Sequence, residues 1–293
     1  MSAKASGNMR VTASGLAHAL VSMLPTGMIW VAYIAATVLH AYLRGAADDL
    51  GPPAYSPAGL EHLLFSGIPS VWLQRWIPTD IPGLAWFALG LYGSWFYGLT
   101  LLAVLVLVRC GRQSLAQLLT LHLLLFFSAD AAFILFPTRP PWMDFEVTRL
   151  VNFVFVDAKY VDNNPVAAVP SLHVALPALY ALWFARQHDW LLRRLAPILA
   201  LWTVGIAWAI VYGGEHYVVD VLAGVLWAGA AYLVFQRAVI LRPWAKLCHV
   251  LRPGIPAGRR RPQVPGAAYH TSVDGIAGGG TVPGAEPASA HPE

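Results

Sequence analysis

Two histidines, an aspartate and a serine stand in sequence contexts that could support covalent phosphoryl transfer. His216 and Asp220 are four residues apart, so on a helix their side chains would share one face. A carboxylate that holds one ring nitrogen of a histidine fixes its tautomer and leaves the other nitrogen free to attack. Pro170 suits the first turn of a helix, which would put Ser171 at a positively polarised end suited to anions. His173, one turn further on, could then protonate a leaving oxygen.

Four more residues could assist this chemistry. Arg139 could pair its planar guanidinium with phosphate oxygens. Glu215 and Tyr217 flank the candidate nucleophile and are candidate modulators, although Glu215 could equally face water. Asp130 interrupts an apolar stretch, where an ionisable group is costly and therefore a functional candidate. The alternative for Asp130 is a protonated structural acid or a partly solvated one.

The composition shows what kind of protein must position these residues. The chain has 293 residues, of which 57% are hydrophobic and 12% charged, and its mean hydropathy is +0.57. Soluble domains average about 25% charged residues, so half the usual charge cannot cover a water-facing surface. The net charge of +4 is spread over short connections without a basic, aromatic-rich face, which argues against nucleic acid as a partner. We therefore predict a polytopic membrane protein.

Six apolar windows are each long enough to approach the thickness of a bilayer core. Backbone groups in lipid must be satisfied within each segment, so the fold class predicted is all-α, a six-transmembrane-helix bundle. Two short interfacial helices, at 61–65 and 71–76, are expected before the second span. The six windows lie between residues 10 and 44 with entry near 20, between 80 and 109, and at 114–136, 170–185, 195–212 and 217–235.

Charge asymmetry gives the predicted orientation. Most Lys and Arg, together with Cys110 and Cys248, fall on the side of the N-terminus, which the positive-inside rule makes cytoplasmic. The polar clusters at 137–142, 164–173 and 212–220 then meet on the extracytoplasmic side. The domains expected are a cytoplasmic N-terminus (1–19), a membrane domain (20–240, motif core 137–224) and a disordered cytoplasmic tail (241–293). Scarce Lys with abundant Arg, Ala and Gly suggests a bacterial plasma membrane.

The motif Pro170-Ser171-Leu172-His173, followed by Gly-Glu-His-Tyr-Val-Val-Asp at 214–220, closely resembles the type 2 phosphatidic acid phosphatase superfamily. The Pro-Pro-Trp at 140–142, and Leu172 where the phosphatases often carry Gly, look most like its inositolphosphotransferase branch, which includes inositol phosphorylceramide synthases. The resemblance implies a six-helix fold with an externally facing site and no metal or other cofactor. It assigns roles as follows: His216 nucleophile, Asp220 its partner, His173 general acid, and Ser171, Leu172 and Arg139 phosphate binding.

Two departures from the phosphatase pattern affect the substrate. The Lys expected seven residues before Arg139 is Ala132, and the Arg expected six residues before His216 is Ile210. Two cations of the usual phosphate cradle are therefore missing. Either Arg139 and helix N-termini carry the phosphate charge, or the substrate is a diester with less charge to neutralise.

The sequence thus predicts a lipid phosphatase or phosphotransferase that works through a phosphohistidine at the outer membrane face. Its partners would be a lipid phosphate or phospholipid, the bilayer and, for a transferase, a polyol such as inositol. Rival predictions are a serine protease using Ser171 and His216, and a metalloenzyme using His173, Glu215, His216 and Asp220. The non-enzyme rival is a membrane carrier or channel.

Overall fold

A computed structural model of the chain describes residues 13–50, 53–153 and 164–237. The regular secondary structure of these residues is entirely helical, and they include no β-strand beyond isolated bridges. The expected disordered tail and most of the expected N-terminal segment lie outside the described residues. A short 3-10 helix covers Leu150–Phe153, and the α-helices are α1 (Ala13–Leu50), α2 (Ala58–Phe65), α3 (Pro69–Trp76), α4 (Pro82–Leu135), α5 (Pro141–Asp144), α6 (Leu172–Ala185), α7 (Trp190–Tyr212) and α8 (Val218–Gln236).

Helix α4 is two helical segments joined at Gly111. Its 54 residues would extend about 81 Å if straight, far beyond a bilayer core of about 30 Å. Gly111 has φ +80° and ψ −179°, a conformation that is open to glycine and costly for other residues. Ala103, Leu115 and Leu119 share one buried cluster, although a straight helix would separate even Ala103 and Leu115 by about 18 Å. The two segments therefore fold back on each other, at the position where the second and third spans were expected to separate.

The helices fit a multi-pass membrane protein. Four of those described are long and apolar enough to cross a bilayer: Pro25–Ala46 within α1, Gly83–Leu135 within α4, and all of α7 and α8. Helix α6 is apolar but only 14 residues long, about 21 Å. Large apolar side chains face outward along these helices, including Met28, Leu101, Leu201 and Leu226. Such surfaces suit contact with acyl chains. Helices α2 and α3 occur where two short helices were predicted.

The core surrounds α6, which packs against α4, α7 and α8. Leu176, Leu179, Tyr180 and Phe184 of α6 are fully or almost fully buried in the largest apolar cluster. Hydrogen bonds between side chains add to this packing. Trp202 Nε1 of α7 donates to Ser94 Oγ, and Trp227 Nε1 of α8 donates to Ser128 Oγ, both at 2.8 Å.

The start of α6 lies directly against α8. Ser171 N, just before α6, donates to Asp220 O at 3.2 Å. One turn further along α8, a Cβ at Gly224 would come within 2.6 Å of Ser171 O. Only a residue without a side chain allows this approach, so Gly224 sets the spacing of the two helix ends that carry the candidate site.

We predict that Gly224→Ala lowers the free energy of unfolding by about 1–3 kcal/mol, because the added methyl group forces the two backbones apart. Gly229→Ala is the matched control on the same helix, since its Cβ would meet nothing within 4 Å. It should be neutral or stabilise by up to about 1 kcal/mol through helix propensity. Thermal or denaturant unfolding of the purified protein measures both. Equal effects of the two substitutions would contradict the role given to Gly224.

Candidate active site

The N-terminus of α6 carries the first histidine of the site. Ser171 precedes the helix in an extended conformation and His173 lies in its first turn. The imidazole of His173 packs against two aromatic rings of α4, with centroids at 4.8 Å from Tyr92 and 5.3 Å from Trp95. These rings restrict the orientation of His173 and shield one side of it from water.

His216, His173 and Asp220 form one chain of contacts. His173 Nδ1 and His216 Nε2 are 3.2 Å apart, within hydrogen-bonding distance. His216 Nδ1 lies 3.4 Å from Asp220 Oδ2. His216 is 5% exposed and Asp220 is fully buried. His173 and His216, 43 positions apart in sequence, are thus joined through adjacent side chains.

The contact between His216 and Asp220 arises differently from the expected one. Helix α8 begins at Val218, so His216 precedes the helix instead of sharing a helical face with Asp220. Asp220 Oδ2 accepts the N–H of Tyr217 at 2.9 Å, which ends the turn and starts the helix. The His216 N–H donates back to Ile210 O at 3.3 Å. The chain therefore folds His216 over the end of α8, onto the carboxylate that caps it.

This arrangement suits nucleophilic chemistry at His216. When Nδ1–H of His216 points to Asp220, the lone pair lies on Nε2 and faces His173. A histidine held in one tautomer by a carboxylate, with a second histidine beside its free nitrogen, provides a nucleophile and a proton carrier within reach of one reacting centre.

The α6 N-terminus retains capacity to bind an anion. No acceptor among the described residues bonds the backbone N–H groups of Leu172, His173 and Val174, the first three of the helix. Ser171 Oγ is fully buried and likewise has no hydrogen-bond partner in the described part of the chain. Helix N-termini attract anions through these N–H groups and the helix dipole. The Leu172 side chain packs on the buried cluster that includes Phe133.

Ser171 lacks the contact that a serine nucleophile requires. A serine protease would bond Ser171 Oγ to His216, whereas that oxygen has no partner among the described residues and His216 Nε2 faces His173. The described residues also contain no group of three or more His, Cys, Asp or Glu side chains arranged to hold a metal ion.

Arg139 and Tyr217 are joined through a third residue. An Arg139 Nη2 lies 2.8 Å from Asp144 Oδ1 and donates to Met143 O at 3.1 Å, while 43% of the arginine side chain is exposed. The Tyr217 hydroxyl donates to Asp144 Oδ2 at 2.9 Å. Asp144 ends α5, so this network ties the Pro-Pro-Trp segment to the residue that follows His216.

The Arg149–Glu215 ion pair was not anticipated from the sequence. Arg149 Nε donates to Glu215 Oε1 at 2.7 Å and its Nη2 donates to Oε2 at 3.1 Å. Both side chains are about 90% buried, and the guanidinium lies 4.3 Å from the ring centroid of Trp142. Glu215, expected either to modulate His216 or to face water, does not face water but is the buried partner of a cation. An isolated Arg in an irregular segment gave no local signal of this role.

Asp130 pairs with a histidine of α1. Asp130 Oδ1 lies 2.8 Å from His40 Nδ1, both residues are buried, and the His40 ring stacks on Phe126 with centroids 3.9 Å apart. Deeper in the bundle, His122 Nδ1 is 3.1 Å from the hydroxyl of Tyr180. The costly intramembrane acid therefore has a partner, although Asp130 does not contact His173 or His216.

Helix α1 also brings a cation toward the site. Arg44 Nη2 donates to Asn164 O at 3.0 Å, and Asn164 Nδ2 donates back to Arg44 O at 2.8 Å. Asn164 lies seven residues before Ser171, so this contact joins α1 to the segment that leads into α6. The sequence did not predict it, because the rotation of α1 about its axis could not be inferred.

A cavity of about 550 Å³ opens near the candidate site, but His173, His216 and Asp220 do not line it. It lies between α3 and the segment after α5, and its lining includes Gln74, Arg75, Asp80 and Glu146. Gln74 closes one side by donating to Thr148 O at 2.8 Å and Tyr212 O at 2.7 Å.

The fold and the site define a multi-pass helical membrane protein with a His–His–Asp contact chain at the meeting point of helix ends, in which His216 and Asp220 are buried. A family model described as PAP2 superfamily matches residues 59–234. The chain belongs to this superfamily, whose members are generally phosphatases and phosphotransferases that act on lipid phosphates in membranes. No curated protein and no solved structure matches it.

We predict that Arg149→Ala destabilises the protein by about 3–5 kcal/mol, because it leaves the Glu215 carboxylate buried without its main partner. Replacing both residues, as Arg149→Met with Glu215→Leu, should recover most of the lost stability, since no buried charge remains unpaired. Arg109→Ala is the control, because the Arg109–Asp189 pair is more exposed, and it should cost about 1 kcal/mol or less. Unfolding midpoints measure all three. A double variant as unstable as Arg149→Ala alone would contradict this account.

Proposed function

We propose that the protein is an integral-membrane phosphatase or phosphotransferase that takes a phosphoryl group from a lipid phosphate onto His216. The observation that carries the proposal is the contact chain from His173 through His216 to Asp220. Superfamily membership supports the general activity. The burial of His216 and Asp220 supports chemistry that proceeds away from bulk water, where hydrogen bonds and charges act more strongly.

In the proposed first step, Nε2 of His216 attacks the phosphorus and forms a nitrogen–phosphorus bond while the bond from phosphorus to the leaving oxygen breaks. His173 gives its proton to that oxygen, and Asp220 stabilises the positive charge that develops on the His216 ring. In the second step an acceptor hydroxyl attacks the phosphohistidine and loses its proton to His173. The nitrogen–phosphorus bond breaks, and both histidines return to their starting protonation states.

The phosphate oxygens need compensating charge, because Ala132 and Ile210 occupy positions where the phosphatases carry cations. We assign this role to the N-terminus of α6, with the N–H of Leu172, the hydroxyl of Ser171 and the guanidinium of Arg139. The N–H groups and the hydroxyl, which have no partner in the described part of the chain, support the first part. Arg139 would have to exchange its bond to Asp144 for one to phosphate, and its partial exposure supports such movement.

With a lipid phosphate monoester as donor, hydrolysis and transfer differ only in the acceptor of the second step: water gives free phosphate and a polyol gives a polyol phosphate. A phosphodiester lipid forms when the donor is itself a phosphodiester whose head-group alcohol leaves in the first step, so that the lipid stays bound to the phosphohistidine until inositol or another polyol attacks. The missing cations favour the transfer of a diester-type group, which carries less charge than a monoester. Glu215, Tyr217 and Asp130 remain proposed modulators of either reaction.

We expect His216→Ala to reduce phosphate release from lipid phosphates to background and to abolish acid-labile, alkali-stable labelling of the protein by a ³²P-labelled substrate. The reason is that the substitution removes the atom that bonds phosphorus. His62→Ala, at an exposed histidine of α2, is the control and should retain both signals. Unchanged turnover in the His216 variant would eliminate the mechanism.

The same assay separates hydrolysis from transfer when purified protein receives phospholipids and prenyl phosphates with and without polyols. Mass spectrometry of the lipid products identifies a new phosphodiester. Phosphate release unaffected by every polyol would identify a hydrolase. Solute uptake by reconstituted vesicles without any phosphate chemistry would instead favour the carrier or channel.

We further propose six spans, with the segments on either side of Gly111 and the short α6 each crossing the membrane, and α2 and α3 at the outer interface. The site then faces the extracytoplasmic side and the C-terminus is cytoplasmic. The reversal at Gly111 supports this arrangement, because it separates two apolar segments of suitable length. A bacterial plasma membrane is the proposed location.

This topology predicts opposite thiol accessibilities at the Gly111 reversal and in the segment after α5. In a Cys248→Ser background, Cys110, next to the Gly111 reversal, should react with a membrane-impermeant maleimide in inside-out vesicles and remain protected in intact cells. Glu146→Cys, introduced together with Cys110→Ser and Cys248→Ser, should show the opposite pattern because Glu146 is exposed beyond α5. Labelling of both positions from the same side would refute the six-span arrangement.

A further inference from the structure

Glu61 of α2 binds the first turn of α8. Its Oε1 accepts the N–H of Val218 at 2.9 Å, and its Oε2 accepts the N–H of Val219 at 3.1 Å. The residue is fully buried, although it belongs to a helix of only eight residues and lies 157 positions away in sequence. A buried carboxylate that meets two consecutive N–H groups at a helix N-terminus combines charge-assisted hydrogen bonds with a favourable helix dipole.

Together, Glu61 and Asp220 satisfy the whole N-terminus of α8. Asp220 accepts the Tyr217 N–H, Glu61 accepts the next two, and the N–H groups of Asp220 and Val221 donate to Tyr217 O at 3.2 and 3.3 Å. No N–H group in this turn is left to bind a phosphate. No such acceptor among residues 13–50, 53–153 and 164–237 meets the N-terminus of α6, so Glu61 helps to decide which of the two helix ends receives the anion.

The surroundings of Glu61 fix its position. Apolar side chains from α2, α3 and the start of α8, among them Phe65, Ile68 and Val219, pack in one cluster beside it. Burial raises the pKa of the Glu61 carboxyl group, the N–H groups of Val218 and Val219 lower it, and the nearby charge of Asp220 raises it further. The carboxylate of Glu61 is thus held close to a second buried acid, Asp220, despite their mutual repulsion. The packing of apolar side chains alone would not require this arrangement.

We infer that Glu61 is a positioning residue for the nucleophile, because it fixes the first turn of α8 and thereby the contact between Asp220 and His216. The expected effect on kcat rests on the proposed function, whereas the expected effect on the position of Asp220 rests on geometry alone. If the first turn of α8 loosens, Asp220 shifts relative to His216, and the tautomer and direction of the imidazole are no longer defined. A displacement of about 1 Å in a reacting group can reduce a rate about a hundredfold.

The test compares Glu61→Gln and Glu61→Ala with Glu146→Gln. The Gln variant keeps the size of the side chain but presents one acceptor and one NH₂ group to two N–H donors. Glu146, an exposed carboxylate in the segment after α5, provides the matched control. Two measurements are made on each purified variant: kcat and KM for a lipid phosphate, and the imidazole ¹⁵N signals of histidine-labelled protein, assigned with His216→Gln.

The expected result is a kcat reduced about tenfold to a hundredfold in both Glu61 variants, with KM within about twofold of the wild-type value. The Nδ1 and Nε2 signals of His216 should shift or broaden in Glu61→Gln and stay unchanged in Glu146→Gln. If Glu61→Ala fails to fold, the Gln variant decides. Wild-type kcat and unshifted His216 signals in Glu61→Gln would overturn the inference.

The two measurements separate this inference from the proposed function. If the wild-type protein turns over no lipid phosphate, the proposed function fails, and the ¹⁵N signals alone judge the positioning role. If the wild-type protein is active and the Glu61 variants lose activity only in proportion to their loss of folded protein, with His216 unshifted in the folded fraction, the residue is merely structural and the inference is refuted.

Discussion

Asp220 is a buried acceptor that holds together the ends of three helices. Its carboxylate accepts the N–H of Tyr217 and faces His216, while its backbone oxygen accepts the N–H of Ser171. The turn after α7, the start of α8 and the start of α6 therefore converge on one residue. Burying a carboxylate is expensive unless it is hydrogen-bonded, so any arrangement that separates these ends would leave a costly group without partners.

The sequence predicted well the features that depend on local composition. Charge-free apolar windows located both ends of α8 to within one residue and the C-terminal end of α7, whereas α7 begins five residues before its window because Arg193 and Arg194 lie inside the helix. His173 and His216, which the likeness of residues 170–173 and 214–220 to a known family assigned to one site, lie 3.2 Å apart in the structure. The helical spacing assigned to His216 and Asp220 was wrong in detail, since the aspartate uses its side chain to start the helix after His216.

The partners contributed by distant segments could not be predicted. Asp130 was identified as costly, but its partner His40 depends on how α1 is rotated against α4, which hydropathy does not determine. Arg149 and Glu61 belong to short or irregular segments whose charges are typical of exposed loops. Their burial arises only when the bundle closes over them. Apolar residues on one helix face recur at a regular spacing in the sequence. Two isolated charges that pair over a long range follow no such spacing.

Helix α1 is attached to the rest of the bundle mainly on one face, and only 6% of its apolar window is buried. That face carries the contacts of His40 with Asp130 and of Arg44 with Asn164. Rotating α1 by one residue, about 100°, would turn both side chains toward acyl chains, where unpaired polar groups are costly. The rotation of α1 about its own axis is therefore set by these two polar contacts and not by the shape of its apolar side chains. Positions on its outward face, such as Val31 and Val38, consequently tolerate substitution by other apolar residues during evolution.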